Sequence, residues 1–408
     1  MIVLFIKGKM FQTENYLPFF CALQKYAKKK MLVIYPSRKD YLQIKQNEDV
    51  FLALKNISQV KHFYSRHDFF NNTQSTGSNK IKHKLLIPIY GIFSVIQRNL
   101  LLNFFLYKSV NLFYTDEIPY TNWLVKLNIF FFKGKNISLL IYPFGFSDFK
   151  KLILRVSQDI NNFSYIDYLL KMKSNTIISS YKENDLKKIS KPLVKKFNVF
   201  NIGSDLYFWP TWLKLLEKQA KRDISFLKKT KYIFFPLSVI KRTSFTPTSK
   251  INLDLTNTIH FLLNTLNKIS KSKLVIIRPH PTTNIEELLD LLKESKHKKI
   301  KIMNTNSIFL IKYSEFIMKY GISMMDPKAC YFNKVCLRYH SNDLIKIYGP
   351  QLSGKNDNIK KNIYDITSKK IFSIYLSKAI NNKIRKNLNS KKAPKEKLIL
   401  KDFLKYIS

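Results

Sequence analysis

Glycine is nearly absent from this chain, with nine residues in 408. That is too few for a glycine-rich phosphate loop, and neither the Gly-x-Gly-x-x-Gly dinucleotide fingerprint nor a Walker loop occurs, so ATPase and dehydrogenase readings lose most of their support. Cysteine is scarcer still. Cys21, Cys330 and Cys336 stand at unrelated spacings that give neither a disulfide framework nor a zinc motif, and they read as small buried hydrophobes. Acidic side chains are few, 27 against 71 Lys and Arg, and there is no Asp-x-Asp pair of the kind that carries a divalent ion to a diphosphate, so neither a metal nor a cofactor is expected. No apolar run reaches the roughly 18 uninterrupted residues of a membrane span. The nearest candidate, 85–107, is broken by Gln97, Arg98 and Asn99 and reads as a buried or interfacial helix. The opening MIVLFIKGK is too short and too quickly charged for a secretory signal and reads as a first strand.

With 45% hydrophobic and 14% aromatic residues, the chain can bury two cores of ordinary size, which excludes general disorder. Its net charge of +44 is extreme. Lys, Asn, Ile and Phe are abundant while Ala is scarce, the mark of an AT-rich genome, so part of the lysine excess reflects coding bias. Even so, a surface this positive is drawn to polyanions such as nucleic acid, anionic lipid or an acidic polysaccharide. Basic residues run along the whole chain rather than in one stripe, and no helix-turn-helix, RNP or zinc module is visible. No specific nucleic acid is therefore expected, although a basic nucleic-acid-binding protein is the competing class. The expected location is cytoplasmic, peripheral on the anionic inner face of the cytoplasmic membrane.

Short apolar runs alternate with longer segments of helical period almost from end to end, which argues for parallel sheets in an α/β fold. In the first half, strands are expected at 2–6, 31–35, 60–64, 110–114 and 137–142, with a helix over 13–28. After a mixed stretch holding a strand at 176–179 and the aromatic cluster 207–212, a second series begins. It has strands at 232–236, 274–277, 300–303, 316–319 and 335–338, and helices at 254–269, 284–295 and 324–331. Beyond His340 the chain turns Lys/Asn-rich and reads as helical. The expected domains are 1–200, 201–390 and a final segment, 391–408, that packs back on the first. The aromatic cluster reads as interdomain packing ahead of a sugar platform.

The run Leu274-Val275-Ile276-Ile277-Arg278-Pro279-His280-Pro281-Thr282 is the most informative stretch. A buried parallel strand ends there in a turn braced by two prolines, and ligands of open α/β sheets bind beyond the carboxyl ends of strands. About forty residues on, Gly321-Ile322-Ser323 follows another strand: Gly321 allows close backbone approach, and Ser323 opens the next helix, where a phosphate is favoured. Duller readings stand beside these: His280 as a turn cap, Arg278 paired with Glu286, Ser323 as a plain N-cap.

This pattern resembles the bacterial polysialyltransferase and lipooligosaccharide sialyltransferase group, and within it the capsule polysialyltransferases. The shared elements are Arg278-Pro279-His280-Pro281 after an apolar strand and the serine turn at Gly321-Ile322-Ser323; the resemblance covers roughly 231–339. It implies a GT-B fold, two Rossmann-like domains facing across a cleft, and transfer of sialic acid or a related acidic sugar from a CMP-sugar donor to a saccharide or lipid-linked glycan acceptor. It further implies His280 as general acid on the leaving phosphate, with Arg278, Pro281, Thr282, Gly321 and Ser323 around the donor, and no metal. The family's acidic pair before Gly is replaced here by Tyr142-Pro143-Phe144-Gly145. Either Asp148, or Asp116 and Glu117, supplies the base, or the acceptor differs or transfer is lost; Asp116 and Glu117 also suit a helix cap before Pro119. A CDP-glycerol-type transferase is the runner-up, since it too carries a His-Pro element, but Phe235-Pro236-Leu237-Ser238 stands where its Pro-Thr-Trp-Arg signature belongs.

Overall fold

The computed structural model describes residues 2–5, 10–35, 38–62, 111–115, 137–141, 176–179, 197–202, 205–237, 250–279, 299–321, 325–340, 362–384 and 396–407, with isolated positions between them. The chain divides into two compact units, Met1–Gln219 with Ala393–Ser408, and Ala220–Lys392. Their junction thus lies at 219/220, against the 200/201 boundary read from sequence.

In the first unit the elements run β1 (Ile2–Phe5), α1 (Met10–Ala27), β2 (Met31–Tyr35), α2 (Arg38–Gln46), α3 (Glu48–Ile57), β3 (Gln59–His62), β4 (Asn111–Thr115), β5 (Ile137–Ile141), β6 (Thr176–Ser179) and β7 (Asn198–Asn201). A 3₁₀ turn, Asp205–Phe208, then leads into α4 (Trp209–Gln219). All seven strands pair in parallel, in the order β3-β2-β1-β4-β5-β6-β7. Every residue of β2 is buried, as befits a parallel strand covered on both faces. Helix α3 starts where the Asn47 side chain accepts from the Val50 amide at 3.4 Å, with Glu48 and Asp49 in its first turn.

The aromatic cluster 207–212 packs on helices of this unit. Phe208, Trp209 and Trp212 are buried, and the Phe208 ring meets Phe19 of α1 edge-on at 5.5 Å. Two tryptophans and a phenylalanine at one helix start serve to weld α4 to α1, and burial of that size is core.

The second unit runs α5 (Lys221–Lys229), β8 (Tyr232–Pro236), α6 (Lys250–Ile269), β9 (Leu274–Arg278), β10 (Ile300–Ile302), α7 (Ser307–Tyr313), β11 (Ile317–Tyr320), α8 (Met325–Tyr331), β12 (Cys336–Tyr339), β13 (Ile363–Ile366) and α9 (Lys369–Ile380). Its six strands are again parallel, in the order β10-β9-β8-β11-β12-β13. Counted from the first strand of each unit, both sheets follow the Rossmann order 3-2-1-4-5-6, and the first adds a seventh strand. Strand β13 corrects the purely helical reading of the chain beyond His340: a four-residue strand with a charge at its third place carries too little pattern to stand out. The helix expected over 284–295 is described at 286, 288 and 289, all helical.

Helix α10 (Glu396–Ile407) belongs to the first unit. Phe403 packs on Phe19 and Phe200, with ring centroids at 6.1 and 5.2 Å. The buried Glu396 carboxylate accepts from the Thr211 amide at 3.0 Å, the Thr211 hydroxyl at 2.6 Å and the Tyr26 hydroxyl at 3.1 Å, with Lys25 Nζ at 3.6 Å. One carboxylate thus ties α10 to both α1 and α4. Glu396→Ala should cost about 2 to 3 kcal/mol, because buried hydrogen bonds to a charged group are lost together. Hydrogen exchange should show α1, α4 and α10 opening together in that variant; unchanged protection would refute the tie.

Candidate functional site

Strand alternation decides which side chains meet at the carboxyl edge of the second sheet. Val275, Ile277, Met318, Leu337 and Tyr339 belong to the apolar core with Leu262 and Leu266 of α6 and Phe372 and Leu376 of α9. Arg278, Lys319 and Arg338 alternate with those residues and therefore face the other side. Register then aligns them. Arg278 is level with Pro236, Lys319 with Arg338, and Arg338 with Asp365. Because Ile317 lies level with Phe234, Lys319 is level with Pro236. Arg278, Pro236, Lys319, Arg338 and Asp365 thus form one transverse row along the carboxyl edge.

Helix α8 brings Asp326 to this row. Its carboxylate, fully buried, accepts from Lys319 Nζ at 2.7 Å and from Arg338 Nη1 at 3.1 Å. The other nitrogen of the Arg338 fork bonds the Asp365 carboxylate. His340, at 2% exposure, places Nε2 at 2.9 Å from the second Asp365 oxygen, and facing a carboxylate that nitrogen donates. Its Nδ1 and the Arg338 Nε are buried and have no hydrogen-bond partner among the described residues. Burial alone would raise the Asp365 pKa, but hydrogen bonds from His340 and Arg338 and the Arg338 charge outweigh it and hold the carboxyl below its ordinary 3.8. Burial, then the Asp326 charge, pushes the Cys330 thiol up to about 12 and the Cys336 thiol higher still. Both remain neutral thiols. Cys21 is likewise buried, so no cysteine here is suited to nucleophilic work.

Of the residues singled out by sequence, two are placed. Arg278 closes β9, half-buried, and makes no ion pair among the described residues. Gly321 directly follows β11 with φ of 62°, its amide bonded to the Tyr339 carbonyl at 3.2 Å. Among the described residues, nothing lies within 4 Å of where a Cβ at Gly321 would stand. Strand β8 stands between β9 and β11, which sets the Arg278 and Lys319 backbones about 10 Å apart. The pairing of β8 with β11 is also where the strand order reverses, the switch point beside which such sheets bind ligands. His280, Pro281, Thr282, Ser323, Asp116, Glu117 and Asp148 lie outside the described residues.

Sequence reasoning missed Lys319, Asp326, Arg338, His340 and Asp365 as a group. The available signal was a charge recurring near the end of consecutive apolar strands, in IMKY, CLRY and IYDI. A charge inside a buried strand demands a partner.

No family model matches the chain, and no curated protein matches its sequence. Among solved structures it is similar to a UDP-N-acetylglucosamine 2-epimerase from Rickettsia bellii, with TM-score 0.51, 17% identity and coverage of 100% of this chain and 97% of that one. It is also similar to Glycyrrhiza uralensis UGT73P12, solved with glycyrrhetinic acid 3-O-monoglucuronide, with TM-score 0.52, 9% identity and coverage of 100% and 90%. At these identities the likeness is one of fold: two Rossmann-like α/β domains, the GT-B class. That class holds an epimerase as well as a sugar-bearing complex, so activity must be argued from the site.

Asp326→Ala should destabilise the second unit by about 3 to 5 kcal/mol, because two buried cations lose their shared anion; urea unfolding measures it. Asp365 adds a pH signature. Its depressed pKa contributes stability that is complete above the ordinary Asp value and is lost as pH falls through the folded one. Urea midpoints should therefore fall below about pH 4, and Asp365→Asn should flatten that fall. Gly321→Ala meets no clash, so its cost should be the left-handed backbone alone, about 1 kcal/mol, and less for Gly321→Asn.

Proposed function

We propose that this chain is a glycosyltransferase of bacterial surface polysaccharide, capsule or lipooligosaccharide, which moves sialic acid or a related acidic sugar from a CMP-linked donor to a saccharide or lipid-linked glycan. The observation that carries the reading is Arg278, a half-buried cation at the carboxyl end of β9, one strand from the switch point of a Rossmann sheet. Gly321, with no described residue within 4 Å of where its Cβ would stand, directly follows the strand on the other side of β8. Two residues beyond Arg278 in the chain comes His280, and two beyond Gly321 comes Ser323.

In this reading the bond between the anomeric carbon and a phosphate oxygen breaks, and the protonated His280 imidazole gives its proton to that oxygen. Arg278, the Gly321 backbone, Thr282 and the Ser323 hydroxyl hold the remaining phosphate charge, while Pro281 stiffens the turn. The acceptor hydroxyl attacks the same carbon and gives its proton to a carboxylate, Asp148 or one of Asp116 and Glu117. The leaving group is a monophosphate, so one imidazole and a few donors meet the charge that develops without a metal. No helix among the described residues is long and apolar enough to cross a membrane. The enzyme then works as a peripheral protein, held by its +44 charge at the anionic inner leaflet.

Release of CMP from CMP-sialic acid, with and without a polysaccharide acceptor, tests this. Turnover should fall about 100- to 10,000-fold in His280→Ala with the circular dichroism spectrum retained. Release from CDP-glycerol instead would move the chain to the polyol-phosphate transferases. Turnover of UDP-N-acetylglucosamine alone would place its chemistry with the epimerase of the same fold.

A further inference from the structure

In the second unit, α6 and the start of α9 border a groove of about 490 Å³. Asn257, His260, Asn264 and Lys268 form one exposed row along α6, at steps of three and four residues, and Lys369 reaches the groove from α9. The half-buried Phe261 ring also lines it, with Lys369 Nζ 5.2 Å from its centroid and the Phe372 ring of α9 at 6.0 Å. The row from Asn257 to Lys268 is about 16 Å long. That is the reach of a short oligosaccharide rather than of one sugar. The groove also stands apart from the edge that carries Arg278. Helices α6 and α9 pack on the sheet face of Val275, Ile277 and Leu337, whereas Arg278, Lys319 and Arg338 belong to the other face.

The chemistry of the lining selects the ligand. Among the described residues no carboxylate lines the groove, and neither Lys268 nor Lys369 forms an ion pair. Lys369 and Lys370 also occupy the first turn of α9, where amides lack partners within the helix and the dipole already favours an anion. Cations placed there work against the helix unless an anion joins them. Beside the two lysines stand groups of another kind, since the Asn257 and Asn264 amides each offer donors and an acceptor, as sugar hydroxyls require. A phosphate polymer calls for cations along the whole row. Two lysines with amides beside them match a chain in which negative charge is sparse and hydroxyls are many.

We propose that the groove between α6 and α9 is a second saccharide site, which binds an acidic oligosaccharide through Lys268 and Lys369 at its carboxylates and through Asn257 and Asn264 at its hydroxyls. The site rests on the acidic-sugar part of the reading above and adds a hold on the acceptor or product chain, remote from the reacting bond. Such a hold raises the local concentration of chain ends without a new contact at the reaction site.

The probe is a short fluorescein-labelled oligosialic acid, followed by fluorescence polarisation at about 0.15 M salt. Asn257→Ala with Asn264→Ala, which leaves the charge unchanged, should weaken binding at least about fivefold, and Lys268→Gln with Lys369→Gln at least about tenfold. All these side chains are exposed, so both variants should keep the parent's circular dichroism spectrum. CMP release from CMP-sialic acid without acceptor should also be unchanged in them.

Absence of binding by the parent chain overturns the proposal, and so does unaltered binding in the asparagine variant, which a purely ionic contact would ignore. A single-stranded oligonucleotide bound as tightly, and weakened equally by the lysine substitutions, gives the groove to polyanions at large and overturns it. Equal binding of a neutral maltooligosaccharide overturns the acidic assignment. A parallel fall in acceptor-free CMP release would merge the groove with the reaction site and overturn it as well. Failure of the parent chain to release CMP from CMP-sialic acid refutes the reaction assigned above, whereas groove-dependent binding of the oligomer would still support the second site.

Discussion

The carboxylate of Asp326, sealed from water between Lys319 and Arg338, is the constraint on which the second sheet's carboxyl edge depends. Taking these ions out of water costs several kcal/mol each, and their mutual attraction repays it only when the geometry is good and further hydrogen bonds fill the remaining sites. Arg338 meets that condition by splitting its fork between Asp326 on α8 and Asp365 on β13. His340 then bonds the far oxygen of Asp365. The series fixes three strands and one helix relative to each other at the end of the sheet where function is proposed. Apolar side chains could fill the same volume, but they would not impose the same register.

Arg278 stands in the same transverse row, on the same side of the sheet, without a carboxylate among the described residues. In the row's other half, every cation meets an anion. In the proposed reading the neutralised, rigid half fixes the geometry and Arg278 meets the donor phosphate. Across β8, the Gly321 amide bonds the Tyr339 carbonyl, and among the described residues nothing lies within 4 Å of where its Cβ would stand.

Much of the fold was legible in the sequence because parallel strands buried on both faces leave a local mark. YIFFP and the LVII that ends at Arg278 are unbroken apolar runs, and the strands they predict are found to within a residue. IYDI escaped notice because only four residues carry it and one is charged. The cluster 207–212 was seen as buried, but that it packs on α1 was not legible, because hydrophobicity says that a side chain is buried and not against what. At the site, Arg278 and Gly321 could be read locally, one from a strand end and one from the lack of a Cβ in a turn.

The sequence by itself determined the α/β class, the strand ends that carry Arg278 and Gly321, and the positive charge. These follow from residue type and short-range spacing, which survive without knowledge of neighbours. Only the tertiary structure decided that Lys319, Asp326, Arg338, Asp365 and His340 form one network. The bonds of that network join residues 7, 12, 25 and 27 apart in the chain. They arise from the order in which parallel strands lie and from the register between them, and no local pattern encodes either.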